Sequence, residues 1–368
     1  MITDTESTRA LAASDTHHLA QALGRAGRSR TLAAPVREQF LEGGRTGARV
    51  TRLTCADGSR LVLKVIPRDR PFREALGHDG EAAAWLAGTT STLPPPLANP
   101  TLDASPHPER AEWWLLMEDV SSGIVSRSAW TEAHSRRLFE AMAGLHAAHW
   151  GTRDAPGPGI GNLAATTALL VEIALYAATG RSSAEWAARS AEAFQVPRML
   201  LPEFLEAAGP DNADFYLALL GRWPDIVSAL EDHPPTLLHG DLRRANVAFV
   251  DGRVVLFDWE LAARGAAAAD LAWHWFLHYW AYPPNDGRLP ADRLWLRDAY
   301  LDRLESARGS AVDRDSFRMA WELGWLRVFC QLGFVLADGL AEDATGTRRQ
   351  SIRNAFGEAR RVADEQLP

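Results

Sequence analysis

One stretch constrains this chain more than any other: LLHGDLRRANVAFVDGRVVLFDWE, residues 237–260. Two apolar runs, VAFV and RVVLF, flank Asp251-Gly252, and an Asp-Gly pair between apolar runs is the strongest short-range signal for a two-residue hairpin turn. With that turn, Val250 pairs with Arg253, and counting outward sets Asn246 opposite Phe257 and Ala245 opposite Asp258. Asn246 and Asp258 therefore meet at the open end of the hairpin. Asp241 lies five residues before Asn246 in the loop that enters it, so three oxygen-bearing side chains converge on one small volume. Carboxylate and amide oxygens suit Mg²⁺, which takes hard oxygen ligands together with substrate phosphate and water.

A second feature is compositional. Of 39 cationic side chains, 38 are arginine and one, Lys64, is lysine, in the apolar run RLVLKVIP at 60–67. An ammonium is a compact charge with three donors, whereas guanidinium is a broad planar fork; a position that keeps lysine against such a bias asks for a geometric reason. Turns at EGGRTGA (42–48) and ADGSR (56–60) divide 36–67 into three antiparallel strands, with Lys64 on the third. Residues 8–26 have helical composition, as does FREALGHDGEAAAWLAG, which ends at Gly88. STLPPPLANP must be extended because consecutive prolines cannot continue a helix. EWWLLMEDV (112–120) reads as a further strand, and from Trp130 the chain is mostly helical, with a long helical insertion at about 163 to 230. The expected organisation is a small β-rich part followed by a larger α-rich one.

A chain of 368 residues with 46% apolar composition can bury a sizeable core. The formal charge of −8 argues against nucleic acid as a partner, since phosphate-backbone affinity needs clustered cationic charge. Cys55 and Cys330 make no disulfide framework, the N-terminus has no basic start or apolar h-region, and no apolar run reaches membrane-spanning length. The expectation is a cytoplasmic protein that engages neither membrane nor nucleic acid.

HGDLRRAN followed by FDWE resembles the catalytic and metal-binding motifs of the aminoglycoside phosphotransferase and choline kinase-like family, relatives of the protein kinases. The parts stand in kinase order, glycine loop, strand lysine, catalytic loop and metal aspartate, and the resemblance covers about 36 to 280. It implies an α+β, bilobal, protein kinase-like fold, with a small antiparallel-sheet N-lobe (1–117), a hinge (118–128) and a larger, mainly helical C-lobe (129–368). It also implies an ATP- and Mg²⁺-dependent kinase acting on a hydroxyl of a small molecule, whether antibiotic, amino alcohol or sugar. Asp241 would orient the acceptor hydroxyl and accept its proton, Asn246 and Asp258 would hold Mg²⁺, and His239 would hold the loop. Lys64 would contact the ATP phosphates and pair with a helix glutamate, Glu81, with Glu74 two turns earlier as the alternative.

Several positions carry two readings. Gly43, Gly44 and Gly47 admit close approach of backbone amides to phosphate, or are plain turn glycines. Backbone groups around Glu118 to Val120 would read the adenine edge, or simply end a strand. Asp270 would brace the catalytic loop, or serve only as an acidic group at a helix N-terminus. Arg243 departs from the family, where a histidine or small residue is common. Protein kinases often place a lysine there to meet the γ-phosphate, and Arg243 either does likewise or belongs with Arg244 to a solvated pair. Trp273 and Trp280, seven apart, would share one helix face as core residues. A protein kinase is disfavoured, since HGD replaces HRD and no Asp-Phe-Gly or Ala-Pro-Glu string occurs. A catalytically silent, nucleotide-binding pseudokinase with a regulatory role is the alternative function, and the presence together of Lys64, Asp241, Asn246 and Asp258 weighs against it.

Overall fold

The computed structural model describes residues 9–10, 13–26, 37–41, 47–55, 58–69, 71–77, 80–152, 157–181, 186, 195–284, 286 and 288–367. Gly43 and Gly44, like the side chain of Glu74, lie outside them.

The N-lobe is built from β1 (Arg9–Ala10), β2 (Arg37–Leu41), β3 (Arg49–Thr54), β4 (Arg60–Pro67), β6 (Thr101–Pro106) and β7 (Glu112–Glu118), with helices α1 (Ala13–Arg25), α2 (Pro71–Leu76) and α3 (Glu81–Leu86). These six strands form one sheet in the order β1-β2-β3-β4-β7-β6, with every neighbouring pair antiparallel. Side chains alternate across a strand, and β4 uses both faces. Leu61, Leu63 and Val65 join Trp114 and Leu116 of β7 beneath Leu19 and Leu23 of α1. Ile66 packs with Leu115 and Ala82 of α3 on the other face. Lys64 falls in step with Ile66, so period-2 geometry aims it at the side on which α3 lies.

β6 has little strand character in its sequence, TLDASP; it is held by tertiary contacts. Arg25 of α1 makes a bidentate pair with the buried Asp103, at 2.9 Å for both hydrogen bonds, and Ser105 reaches His18 of α1 at 3.3 Å. The proline-rich connection is extended as expected, and within it β5 (Leu97–Ala98) pairs in parallel with the second strand of the 247–256 hairpin.

The C-lobe contains α4 (Glu132–Ala148), α5 (Leu163–Thr179), α6 (Gln195–Ala208), α7 (Pro210–Gly221), α8 (Trp223–Glu231), α9 (Ala268–Trp275), α10 (Trp295–Arg308), α11 (Arg314–Leu332) and α12 (Thr347–Gln366). They share a core that includes Phe139, Phe204, Tyr216, Phe276, Tyr300, Phe329 and Phe356. A small sheet of β8 (Gly161–Asn162), β12 (Ala263–Ala266) and β9 (Pro235–Leu238) and the hairpin of β10 (Val247–Val250) and β11 (Arg253–Leu256) carry the 237–260 motif. The hairpin register is the one counted from sequence, Val250 against Arg253 through Val247 against Leu256. Asp251 and Gly252, at φ 48° and 76°, supply the two left-handed turn residues. No helix among the described residues is long and apolar enough to cross a membrane.

Gly159, in the loop before β8, fixes this part of the C-lobe against α3. Its φ is +76°, and a Cβ there would stand 2.3 Å from both Ala84 N and Gly80 O. Gly159→Ala is expected to lower unfolding free energy by at least about 1–3 kcal/mol from backbone strain alone, with the steric clash adding to it. Urea denaturation measures this; a change below about 0.5 kcal/mol, the range of an ordinary surface substitution, would contradict the contact.

Candidate active site

Lys64 is the meeting point of the two lobes. Its Nζ donates to Glu81 Oε2 at 2.6 Å and to Asp258 Oδ1 at 2.6 Å, across sequence separations of 17 and 194 residues. The other Glu81 oxygen, Oε1, accepts from the Asp258 backbone N–H at 3.2 Å, so one carboxylate ties the lysine and the metal-motif residue together. Lys64 and Glu81 are 6% and 1% exposed. Burial alone would lower the lysine pKa, but Asp258 and Glu81 outweigh it and hold the ammonium well above its ordinary value. Burial would likewise raise Asp258, and Lys64 outweighs it, keeping the carboxyl below its usual 3.8. Lys64 and Asp258 are therefore both charged across the neutral range. Asp258 contributes stability above pH 3.8 and loses it only as pH falls through its depressed value; Lys64 contributes below 10.5 and loses it only as pH rises past its elevated one. Two of the three ammonium hydrogens are engaged, leaving one for a phosphate oxygen.

The catalytic loop is fixed from beneath. The carboxylate of Asp270, in the first turn of α9, accepts from the backbone N–H groups of His239 at 2.6 Å and Gly240 at 2.8 Å. Asp270 is both the helix-terminal acid and the brace. Burial pushes its pKa up, and His146, 3.6 Å away, together with the Gly240 N–H helps to hold it below the ordinary value. Gly240 has φ +84°, and a Cβ would lie 1.9 Å from Leu261 O, so no other residue fits. His239 bridges the loop to the hairpin, with Nε2 donating to Phe257 O at 3.1 Å and Nδ1 accepting from the Asp241 N–H at 3.3 Å.

Asp241 is held by three side chains. Asn246 Nδ2 donates to Oδ2 at 2.9 Å and Trp273 Nε1 donates to Oδ1 at 2.9 Å. Arg243 Nε lies 2.9 Å from Oδ2, an ion pair whose N–H is not aligned as a hydrogen bond. Its charge also helps to depress Asp258. Arg243 is thus engaged by a carboxylate within the loop. Trp273 is the residue that sequence reasoning missed. Its apolar spacing hid the indole N–H, the one polar handle that matters here. Trp273 and Trp280 do not share a face, since α9 passes into a π-helical turn at Phe276–Ala281, which rotates the following side chains out of α-helical step. Trp280 instead joins Trp275, Tyr279, Trp321 and Trp325 around a cavity of ≈ 650 Å³.

The donor set matches a hard cation bound with substrate. The amide nitrogen of Asn246 is spent on Asp241, which turns Oδ1 into its free ligand atom, and Asp258 presents its second oxygen. Among the described residues no three or more of His, Cys, Asp and Glu could hold a metal by themselves. Two protein oxygens completed by phosphate and water is the Mg²⁺ pattern. Gly47 has φ 81°, a conformation suited to glycine. In the segment linking the lobes, Glu118 N–H donates to Pro100 O at 2.9 Å, and Val120 O accepts from Gly123 N–H at 2.9 Å and keeps its second lone pair.

A strand lysine paired to a helix glutamate, above a hairpin that presents an amide and a carboxylate beside a braced aspartate, defines the kinase-like class of phosphotransferases. The profile described as "Phosphotransferase enzyme family" matches residues 38–310, and the chain belongs to that family. It is similar in fold to the choline kinase of Cryptosporidium parvum, at 12% identity and TM-score 0.52, covering 90% of each chain. It is similar also to the ethanolamine kinase of Plasmodium vivax, at 11% and 0.51, covering 88% of this chain and 81% of that one. Aminoglycoside phosphotransferase APH(3'')-Id of Streptomyces rimosus matches at 21% and 0.45, covering 84% and 95%.

Two outcomes follow. Lys64→Arg is expected to lower kcat/KM for ATP by about 10² to 10³ through misplacement of an oriented donor. Overpacking the buried site should cost a further ~1–3 kcal/mol of stability, so the assay is made on protein shown to be folded by its melting transition; activity within a few-fold of the parent would refute the assignment. Trp273→Phe, which keeps the ring and removes the N–H, should reduce kcat by about tenfold or more, the worth of a hydrogen bond to a charged group, with KM for ATP unchanged. Steady-state kinetics in both substrates resolve this.

Proposed function

We propose that this chain transfers the γ-phosphoryl group of ATP to a hydroxyl of a small molecule, with Mg²⁺. The observation that carries the reading is the Lys64–Glu81–Asp258 triad, in which residues from a strand, a helix and the far end of the hairpin meet at 2.6 Å. Mg·ATP, when bound, supplies the electrophilic phosphorus and a charged leaving group. Lys64 would direct its remaining N–H to phosphate oxygens, and Asn246 Oδ1 with Asp258 would hold the metal. Asp241, its carboxylate oriented by Trp273 and Asn246, would position the acceptor hydroxyl and take its proton as the oxygen becomes bonded to phosphorus. Arg243, paired with Asp241, would offset charge on the transferring group. A silent nucleotide binder gains no support from a site with all four family positions filled. The acceptor is chosen elsewhere, in the C-lobe.

The test is ATP consumption measured against a panel of hydroxyl compounds, with Asp241→Asn beside the parent. Asp241→Asn should lose at least about 10²-fold in kcat, the usual scale for a positioned general base, while calorimetry shows ATP affinity within about twofold. Loss of ATP binding with chemistry retained would overturn the role given to Asp241.

A further inference from the structure

Arg243 is extended, at φ −118° and ψ 158°, and Arg244 is the first residue of the 3₁₀ turn Arg244–Asn246. Arg243 pairs with Asp241. The surroundings of Arg244 are cationic. The segment 121–130 runs antiparallel to β10, bridging Ile124 to Ala248, which brings Arg127 to the level of the Arg244–Asn246 turn. The Arg127 guanidinium lies 5.1 Å over the ring of Tyr282, a neighbour it shares with Arg244. Burial and Arg127 both pull the Arg244 pKa below its ordinary value. Among the described residues neither arginine has an ion pair or a side-chain hydrogen bond. The nearby carboxylates are committed elsewhere, Glu132 to Arg288 and Arg293, and Asp286 to Arg293.

His278 adds an independent sign of a missing partner. It is 3% exposed, yet neither ring nitrogen has a hydrogen-bond partner. It packs 5.3 Å from His274 and 5.7 Å from Trp130. Burial, then His274 and Arg244, push it to about 2, so it is a neutral imidazole with one donor and one acceptor to offer. The half-buried Arg244 guanidinium, beside the exposed Arg127 and with no carboxylate among the described residues paired to either, is a local positive charge that a bound anion would offset.

We infer that Arg127 and Arg244, with His278 behind them, form an acceptor subsite for an oxyanion, so that the acceptor is a hydroxyl compound bearing a carboxylate or phosphate. This rests on the phosphotransferase reading and narrows its substrate class, setting apart cationic aminoglycosides and amino alcohols. The carboxylates Glu322 and Glu358 belong to a different place, the aromatic cavity around Trp321 and Trp325.

The test uses the full chain with its nucleotide site filled by Mg·ADP, titrated calorimetrically with citrate, inorganic phosphate and glucosamine. Nucleotide affinity, measured first on the same samples, bears on the phosphotransferase reading alone. Citrate or phosphate should bind and glucosamine should not, and Arg127→Ala with Arg244→Gln should weaken the oxyanion by about 10- to 100-fold, as expected for lost charge-assisted bonds. Preference between the two anions separates a carboxylated from a phosphorylated acceptor. The inference is overturned if neither anion binds the parent up to about 10 mM, if the double variant binds them equally well, if glucosamine binds in their place, or if nucleotide affinity falls in parallel.

Discussion

Everything at the candidate site depends on one buried ammonium. Lys64 joins β4 to α3 through Glu81 and the N-lobe to the catalytic hairpin through Asp258. Buried ion pairs give little net stability, because desolvation consumes most of the Coulomb attraction. Their effect is on arrangement. A Glu81 displaced from Lys64 would leave a charge buried without a partner, and so would a hairpin displaced from the N-lobe. Of the relative positions open to these three elements, the triad penalises all but a narrow set. That set aligns the strand, the helix and the hairpin mouth on one volume.

Beneath the triad lies a second layer with a different physical basis. Asp270, His239 and Gly240 determine the backbone path of the loop: two N–H groups converge on one carboxylate, an imidazole spans to Phe257, and the chain passes too close to Leu261 for any Cβ. Asp241 then inherits its position from the backbone and its orientation from Trp273 and Asn246. Charge selects how the lobes meet, and backbone hydrogen bonding with steric exclusion sets the loop. Neither could substitute for the other, since ion pairs tolerate displacement that hydrogen-bond geometry and contact distances do not.

What was legible in the sequence follows the same division. The hairpin register could be counted because an Asp-Gly turn fixes pairing within a few residues, and Lys64 stood out because composition isolated it. The pairing with Glu81 could be named from the helix that follows the strand, although its second partner, 194 residues away, could not. Long-range causes hid the rest. β6 exists because Arg25 and His18 of α1 hold Asp103 and Ser105, which its own propensity does not announce. Trp273 read as core because it is core, apart from one nitrogen. Trp280 was assigned to the same face because no local signal marks the π-helical turn between them. Arg243 and Arg244 look equivalent in sequence, and only the structure shows that Arg243 pairs with Asp241 while Arg244 opens the 3₁₀ turn that follows.

The isolation of Lys64 has a consequence for how the molecule could be observed. Its surface carries no lysine, so side-chain amines are absent from everything that acylating reagents meet first. The one lysine side chain is 6% exposed and clasped by two carboxylates. For an amine-directed label to reach it, the lobes must part and the ammonium must give up both partners. The rate of such labelling would therefore be a clock for that local opening, read from a single atom, in a protein that arrives with its own reporter already in place.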